Sequence, residues 1–161
     1  RNKQHLAELI SIENGTMLSE SLIEVMGAIN KVDLSIKAYC ERVIGFNKKN
    51  KQTTLRLLNK PLGVLVVLGP FNFPLHLPFG HILPALLAGN CIIFKPSEYT
   101  LGVSDCIMNC LVQSDLPKYV VQCVFGGAAQ AKYLISRDFI NGILFKLSND
   151  SILIKFFRIG Q

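Results

Sequence analysis

Residues 61–98 read PLGVLVVLGPFNFPLHLPFGHILPALLAGNCIIFKPSE, and no other stretch of this 161-residue chain says as much about its fold. Its first 34 residues carry no Asp, Glu, Lys or Arg, a length that hydropathy alone would assign to a membrane-spanning helix. Prolines and glycines interrupt them so often that no apolar run exceeds five residues, which is the length of a strand. Residues 64–68 and 90–94 are therefore predicted to be buried strands joined by structured turns.

Short apolar runs alternate with helical segments through the rest of the chain. The predicted strands are 62–68, 91–94, 119–125 and 142–145, and the segments between them are a proline-containing piece at 75–88, a helix carrying Val103, Ile107, Cys110 and Leu111, and a helix at 128–135. Strands that are apolar throughout belong to a parallel sheet covered on both faces. The sequence therefore predicts an α/β fold with flanking helices. Ligands of such sheets bind beyond the carboxyl ends of the strands, so the residues after each strand are the first to inspect.

The first 45 residues have the periodicity of helices. A short apolar stripe ends at Asn14-Gly15, which predicts a helix stop. Ser21 and Glu24 have the spacing of a capping box at the start of a longer helix. Apolar residues then recur every three or four positions, at Leu22, Met26, Ile29, Val32, Ile36, Cys40 and Val43. We expect this stripe to be the face through which the helix packs.

The composition is that of a folded, core-forming chain. Half of the residues are hydrophobic and 17% are charged, so a disordered or mainly solvated chain is excluded. The formal net charge is +6, but the basic residues are scattered apart from Lys48, Lys49 and Lys51, so they draw no nucleic-acid footprint. These lysines lie in a predicted polar turn at 47–52, which leads into a predicted strand at 53–58.

The five cysteines indicate a reducing compartment. Their number is odd and they show no CxxC spacing, which argues against a disulfide framework and fits the cytoplasm. Cys106 and Cys110 are four residues apart, but no histidine or acidic cluster completes a metal site, so we expect no metal and interpret both as small buried residues. No charged leader with an apolar core opens the chain, so nothing indicates secretion, and Arg1 in place of Met suggests a missing or processed N-terminus.

A lone amide follows the first predicted strand. Asn72 lies in the turn Gly69-Pro70-Phe71-Asn72-Phe73-Pro74, where its neighbours are apolar or stiffen the chain. Its side chain either caps the next helix or satisfies the backbone of the turn, or it donates to negative charge that develops on a substrate oxygen. Spacing alone leaves both interpretations open.

Charged residues and glycines follow the second and third predicted strands. Lys95-Pro96-Ser97-Glu98 holds the first charges after the neutral stretch. Lysine and glutamate can bind the vicinal hydroxyls of a ribose, or they can be charges at the point where a buried strand reaches solvent. Ser97 can cap the next helix. Gly126-Gly127 precede a helical segment, where backbone N–H groups could receive phosphate or the pair could form only a tight turn.

Four stretches resemble the aldehyde dehydrogenase superfamily, namely 60–64, 69–74, 80–90 and 94–98. The similarity is continuous from about Leu6 to Ser104 and patchy afterwards. Three further stretches are most similar to the bacterial branch that oxidises N-succinylglutamate 5-semialdehyde in arginine catabolism: Glu13-Asn14-Gly15, Ile36-Lys37-Ala38-Tyr39 and Glu41-Arg42.

The resemblance implies a partial aldehyde dehydrogenase fold in two parts. Residues 1–59 would be a helical lead-in with one strand of an oligomerisation sheet, at 53–58. Residues 60–161 would be part of an NAD- or NADP-binding Rossmann-like domain. The resemblance further implies oxidation of a small aldehyde to its carboxylate by a homo-oligomer. The cysteines favour the cytoplasm, and the scattered basic residues and the interrupted apolar stretch predict neither nucleic acid nor a membrane as a partner.

The resemblance also assigns roles to individual residues. Asn72 matches the asparagine whose side-chain amide, with a backbone N–H at the nucleophile, forms the oxyanion hole. The cofactor residues that match are Pro70 and Phe71 in the cofactor cleft, Lys95 and Glu98 at the adenosine ribose with Ser97 between them, Gly127 near the adenine and pyrophosphate, and Phe145 and Ser148 in the Phe-Thr-Gly-Ser turn. In the family the cofactor pyrophosphate rests at that turn on a helix N-terminus.

Several positions depart from the family pattern. Lys146-Leu147 replace Thr-Gly in that turn, and Ile152 and Ala131 replace glycines, so bulkier side chains stand where the backbone should approach phosphate. The family's cysteine nucleophile and glutamate base lie beyond Gln161, and none of the five cysteines matches the nucleophile. We therefore expect a truncated aldehyde dehydrogenase with impaired cofactor binding that is inactive by itself. The alternative is a nucleotide-binding or subunit-interaction module without catalytic activity.

Overall fold

The structure is a computed structural model that describes residues 2–43, 45, 47–50, 53–146 and 152–156. Within these ranges the helices are α1 (Lys3–Asn14), α2 (Leu18–Arg42), α3 (His76–Leu87), α4 (Leu101–Val112) and α5 (Ala128–Ile135). The strands are β1 (Asn47–Lys49), β2 (Thr54–Arg56), β3 (Val64–Leu68), β4 (Cys91–Lys95), β5 (Val121–Cys123), β6 (Gly142–Lys146) and β7 (Ile152–Phe156). The predicted stop after α1 is confirmed, because Gly15 has a left-handed backbone with a φ of 70°.

Five strands form one sheet in the order β5-β4-β3-β6-β7. The strands β3, β4, β5 and β6 are parallel, whereas β7 at the edge runs antiparallel to β6. Leu68, the last residue of β3, is in register with Lys95 of β4 and with Phe145 of β6. These strands therefore end at one edge of the sheet, and the predicted α/β fold with a parallel sheet is confirmed.

Both faces of the sheet are covered, which explains why its central strands are apolar throughout. Leu65 and Val67 pack with Ile82 of α3 on one face, and Val66 packs with Leu134 of α5 on the other. A separate apolar cluster joins α1, α2 and α4 and contains Leu6, Ala7, Ile10, Val25, Ala28, Val103 and Ile107. The two N-terminal helices are thus attached to α4 by a core of their own.

The packing face of α2 differs from the predicted apolar stripe. Met26, Ile29 and Ile36 of that stripe are 39%, 49% and 45% exposed. The buried residues of the helix are Ser21, Glu24, Val25, Ala28 and Ser35. Most of these side chains are small and let α2 approach α3, and Glu24 binds backbone N–H groups there. Periodicity predicted the helix correctly but selected the wrong face.

The predicted capping box of α2 is also wrong. The helix begins at Leu18, so Ser21 lies inside it, and the Ser21 hydroxyl donates to the Met17 carbonyl at 3.2 Å. Glu24 points away from its own helix start and caps another helix. The capping-box spacing is therefore a coincidence, because Ser21 bonds within the first turn of α2 and Glu24 binds N–H groups about 50 residues away.

Three predicted boundaries change near the strands. The turn predicted at 47–52 contains β1, which pairs with β2 in an antiparallel hairpin separate from the main sheet. The strands predicted at 53–58 and 119–125 are shorter and cover Thr54–Arg56 and Val121–Cys123. No helix in the described ranges is long and apolar enough to cross a bilayer.

Candidate functional site

The carboxyl edge of the sheet brings three connecting loops together. The Gly69 N–H donates to the Lys95 carbonyl at 2.8 Å, and the Val124 N–H donates to the Phe94 carbonyl at 2.9 Å. A Cβ at Gly69 would lie 2.9 Å from the Phe94 ring, so glycine lets the first loop pass this closely. The loops after β3, β4 and β5 therefore form one surface, residues 69–74, 95–100 and 124–127, which we call the rim.

Lys95, Glu98 and Gly127 lie together on the rim. The Lys95 side chain is buried, its Nζ donates to the Pro96 carbonyl at 2.6 Å, and it lies 3.8 Å from Glu98 Oε2. Glu98 is about half exposed, and a Cβ added to Gly127 would lie 3.3 Å from its Oε1. The rim therefore holds one cationic donor and one anionic acceptor side by side, and the lack of a Cβ at Gly127 lets the third loop approach Glu98 closely.

Ser97 shapes the loop that carries these two charges. Its Oγ accepts the Tyr99 N–H at 3.2 Å, and its carbonyl accepts the Thr100 N–H at 3.3 Å. Helix α4 begins later, at Leu101, with Thr100 as its N-cap residue. The prediction that Ser97 caps this helix is wrong, because its hydroxyl is used two residues away inside the turn.

Asn72 stands exposed beside the aromatic pair of the rim. Within the described ranges its side-chain amide has no hydrogen-bond partner, and α3 begins after Leu75 without a side-chain cap from Asn72. Phe71 contacts Tyr99 edge to face with ring centroids 6.4 Å apart, so the two loops touch next to it. Pro70 is half-buried in the same turn. The capping interpretation of Asn72 is thereby corrected, and its amide stays available as a donor.

Glu24 caps α3 from a neighbouring helix. Its Oε1 accepts the N–H groups of Leu75 and His76, each at 3.0 Å. Burial raises the pKa of the Glu24 carboxyl, and the two backbone hydrogen bonds and the charge of Lys31 partly oppose that rise. Sequence reasoning missed this role. The available signal was that no Lys or Arg lies three or four residues from Glu24 on its helix, so the carboxylate has no partner there.

Glu13 caps α4 in the same manner. Its Oε1 accepts the Gly102 N–H at 2.7 Å and its Oε2 accepts the Val103 N–H at 3.0 Å. From the sequence, Glu13 was part of a family resemblance and had no structural role. An acid in the last turn of a helix is unfavourable for that helix, and this was the signal that it serves another.

Gly126-Gly127 form a tight turn. Gly126 has a φ of 141°, a backbone conformation that favours glycine. The Gly127 N–H donates to Gln130 Oε1 at 3.0 Å, so this amide is already used inside α5. Of the two interpretations of the pair, the structure supports the turn.

Most of the phosphate turn expected after β6 lies outside the described residues. Phe145 lies within β6, between Leu68 of β3 and Leu153 of β7. Ser148 lies outside the described residues. The chain returns as the strand Ile152–Phe156, where the resemblance implied a helix N-terminus. The apolar sequence ILIKF, which begins with Ile152 where the family has glycine, accounts for a strand at this position.

Cys123 at the end of β5 and Cys106 within α4 are not activated. Burial raises the pKa of the Cys123 thiol to about 11, with Asp105 acting in the same direction and Lys95 against it. Burial also raises the pKa of Cys106. Both thiols are therefore protonated at neutral pH and poor nucleophiles. Among the described residues, no three His, Cys, Asp or Glu side chains gather where they could hold a metal ion.

A cavity of about 490 Å³ lies between α2 and α3, away from the rim. Its lining includes Lys31, Tyr39, Arg42 and Gly80, and none of the predicted cofactor residues. Lys31 Nζ donates to the His76 carbonyl at 2.7 Å at one end of it. The chemistry predicted from the sequence therefore belongs to an open surface and not to this cavity.

Comparisons with known proteins agree with the resemblance. Residues 1–151 match the model of the aldehyde dehydrogenase family. The chain is 44% identical over 146 residues to N-succinylglutamate 5-semialdehyde dehydrogenase of Novosphingobium aromaticivorans, covering 90% of this chain and 31% of that protein. It is 48% identical over 145 residues to the enzyme of the same name from Legionella pneumophila strain Paris, covering 90% of this chain and 29% of that protein. It thus spans less than a third of the length of these relatives.

Solved structures share the fold. An aldehyde dehydrogenase from Brucella melitensis superposes with a TM-score of 0.81 at 26% identity, over 89% of this chain and 30% of the other. Glyceraldehyde-3-phosphate dehydrogenase from Methanocaldococcus jannaschii, complexed with NADP, superposes with a TM-score of 0.74 at 24% identity, over 88% of this chain and 32% of the other. With the parallel sheet, the rim and the family match taken together, the chain belongs to the aldehyde dehydrogenase family.

Proposed function

We propose that this chain forms the cofactor-binding part of an enzyme that oxidises N-succinylglutamate 5-semialdehyde to its carboxylate with NAD or NADP. The names of the curated relatives and the NADP complex of a structural neighbour support the substrate and the cofactor class. The observation that carries the proposal is the rim, where Lys95, Glu98 and Gly127 lie together, one loop away from Asn72.

The described part of the rim offers partners for the adenosine ribose of a dinucleotide but not for its pyrophosphate. Lys95 and Glu98 offer a donor and an acceptor 3.8 Å apart, which suits the two hydroxyls of the adenosine ribose, and Gly127 adds no side chain next to them. No helix N-terminus follows β6 in the described ranges to receive the pyrophosphate. We expect cofactor binding to be weaker than in a family member with the full turn, because Lys146-Leu147 and Ile152 replace smaller residues of the family pattern. When bound, the nicotinamide ring supplies the acceptor for hydride.

Asn72 supplies the polar group on the substrate side of the rim. Its amide is exposed and has no partner within the described ranges, so it can donate to an aldehyde oxygen. When a nucleophile adds to the aldehyde, negative charge grows on that oxygen, and a donor already in place stabilises it. Phe71 and Tyr99 beside it give the site one apolar wall.

The same proposal assigns the two parts of the chain. Residues 1–59 are the lead-in and residues 60–161 the partial cofactor domain. The β1–β2 hairpin stands apart from the main sheet, which suits a strand that joins a second copy in a homo-oligomer. The absence of paired cysteines among the five, all of which are described, suits the cytoplasm.

One observation favours the alternative, a non-catalytic interaction module. Met26, Ile29, Val32 and Ile36 form an exposed apolar stripe along α2, which borders a small apolar cavity against Leu83 and Leu111. Exposed apolar patches of this kind commonly mark interaction surfaces. Both proposals expect no turnover by the isolated chain, so binding of a protein partner through this stripe is the result that would favour the module.

The purified 161-residue chain is expected to produce no NADH from NAD and N-succinylglutamate 5-semialdehyde. The reason is that none of the five cysteines matches the family's nucleophile, and burial keeps the thiols of Cys106 and Cys123 protonated. Absorbance at the NADH band measures the result, with a complete family enzyme as the positive control. Turnover by the isolated chain would contradict this prediction.

Glu98→Ala is expected to weaken binding of ADP-ribose by about tenfold, because a charged acceptor for the ribose hydroxyls is lost. Titration calorimetry measures the affinity. Asp115→Ala is the matched control, since Asp115 lies between α4 and β5, at the opposite edge of the sheet. Equal affinities for both variants would exclude Glu98 from the cofactor site.

A further inference from the structure

The dipeptide Glu13-Asn14 reaches two loops of the rim from the last turn of α1. Glu13 accepts the N–H groups of Gly102 and Val103, which open the helix after loop 95–100. Asn14 Nδ2 lies 3.5 Å from the Asn72 carbonyl in loop 69–74, a long hydrogen bond. One short segment thus contacts both the proposed ribose loop and the proposed catalytic amide residue.

Glu13 uses each of its carboxylate oxygens for one backbone N–H. A negative charge is favoured at the N-terminus of α4 and disfavoured at the C-terminal end of α1, so the stabilisation lies in α4. Hydrogen bonds of this charge-assisted kind are stronger than neutral ones. A Cβ at Gly102 would lie 2.9 Å from Glu13 Oε1, so glycine permits this approach.

The first turn of α4 sets the position of the ribose loop. Only residues 96–100 separate β4 from α4, and Thr100 at their end is fully buried. The Thr100 carbonyl accepts the Ser104 hydroxyl at 2.7 Å, and its N–H donates to Ser97. A loop this short transmits any shift of the helix start to Glu98.

We infer that Glu13 and Asn14 are positioning residues for the rim. Glu13 holds the loop that carries Lys95 and Glu98, and Asn14 supports the residue that carries the amide donor. The inference rests on the cofactor role proposed for the rim. It gives a physical role to the Glu13-Asn14-Gly15 motif, in which Gly15 ends α1 directly after the two side chains.

The test compares Glu13→Ala and Glu13→Gln with Glu20→Gln in the 161-residue chain. Glu20 is exposed in the first turn of α2 and makes no hydrogen bond or ion pair within the described ranges, so it is a matched control. ADP-ribose is titrated at a temperature at which circular dichroism shows each variant to be folded. The Tm of each variant is recorded alongside.

Glu13→Ala is expected to weaken ADP-ribose binding about tenfold and Glu13→Gln, which keeps one acceptor oxygen, about threefold, with no change for Glu20→Gln. A role confined to stability would lower the Tm of Glu13→Ala and leave the affinity of the folded protein unchanged, and that result overturns the inference. Should Glu13→Ala not fold, Glu13→Gln decides the question by the same comparison.

Amide hydrogen exchange separates failure of this inference from failure of the proposed function. Exchange at Gly102, Val103 and residues 97–100 is expected to be about tenfold faster in Glu13→Gln, and exchange around Asn72 faster in Asn14→Ala. Unchanged exchange overturns the inference. A wild-type chain that binds no ADP-ribose refutes the proposed cofactor site, while faster exchange in the variants still supports the positioning role.

Discussion

Replacing Glu24 with alanine is expected to lower the free energy of unfolding by about 3 kcal/mol. The N–H groups of Leu75 and His76 would lose the acceptor they share, and an unsatisfied buried donor costs about 1–3 kcal/mol. In a chain of 161 residues this corresponds to a fall of about 6–12 °C in the Tm. Urea denaturation followed by circular dichroism measures the change. The helix affected is the one that follows Asn72.

Glu24→Gln is the matched variant, because both N–H groups bind the same oxygen and glutamine retains one carbonyl oxygen there. We expect a loss below about 1 kcal/mol for this variant. Equal losses for alanine and glutamine would show that the charge stabilises α3 and that the acceptor does not.

The difference in stability between wild type and Glu24→Gln depends on pH because the pKa of Glu24 is raised in the folded protein. The folded protein holds the Glu24 proton more tightly than the unfolded chain does. The contribution of this carboxyl to the free energy of unfolding is therefore largest below its ordinary pKa of 4.5. Its contribution then falls as the pH rises through the raised pKa. The stability of wild type relative to Glu24→Gln should therefore decrease above pH 4.5, and a difference that grows with pH would contradict the assignment.

Replacing Gly63 with alanine is expected to cost about 3–5 kcal/mol, from backbone strain and a steric clash together. Gly63 has a φ of 123°, and an added Cβ would collide with Asn141 Oδ1. That oxygen accepts the Val64 N–H at 2.8 Å and fixes the start of β3 against the loop before β6. Denaturant titration is the measurement.

Gly15→Ala is the matched control for Gly63→Ala. Gly15 also has a positive φ, 70°, but nothing lies within 4 Å of an added Cβ. Only the left-handed backbone is strained, so we expect a loss of about 1 kcal/mol. Similar losses at both glycines would mean that the contact with Asn141 does not constrain the sheet.

The parts of the fold that were predicted are those with short-range causes. The strand at 64–68 lies between Gly63 and Gly69, and the helix at 128–135 follows Gly126-Gly127. Both are bounded by neighbours in the chain, so a local pattern suffices to find them. The rim followed in turn, because parallel strands end at one edge, as the register of Leu68 with Lys95 shows.

The parts that were missed depend on groups far apart in sequence. Glu24 is buried because its carboxylate oxygen accepts N–H groups about 50 residues away in the sequence. The spacing of apolar residues along a helix cannot predict such a contact. The hairpin of β1 and β2 was missed since its lysine-rich first strand has the composition of a loop. The strand β7 replaces a helix that only the resemblance implied.

For this protein, the amino-acid order by itself determined the layer architecture, the family resemblance and the loops that carry Asn72, Lys95 and Glu98. It could do so because apolar runs and their interruptions by glycine and proline are local features of the sequence. Only the tertiary structure decided which face of α2 is buried and how Glu13 and Glu24 are used. The physical reason is that a helix start leaves N–H groups without intrahelical partners, and the acceptor that satisfies them is selected by proximity in space.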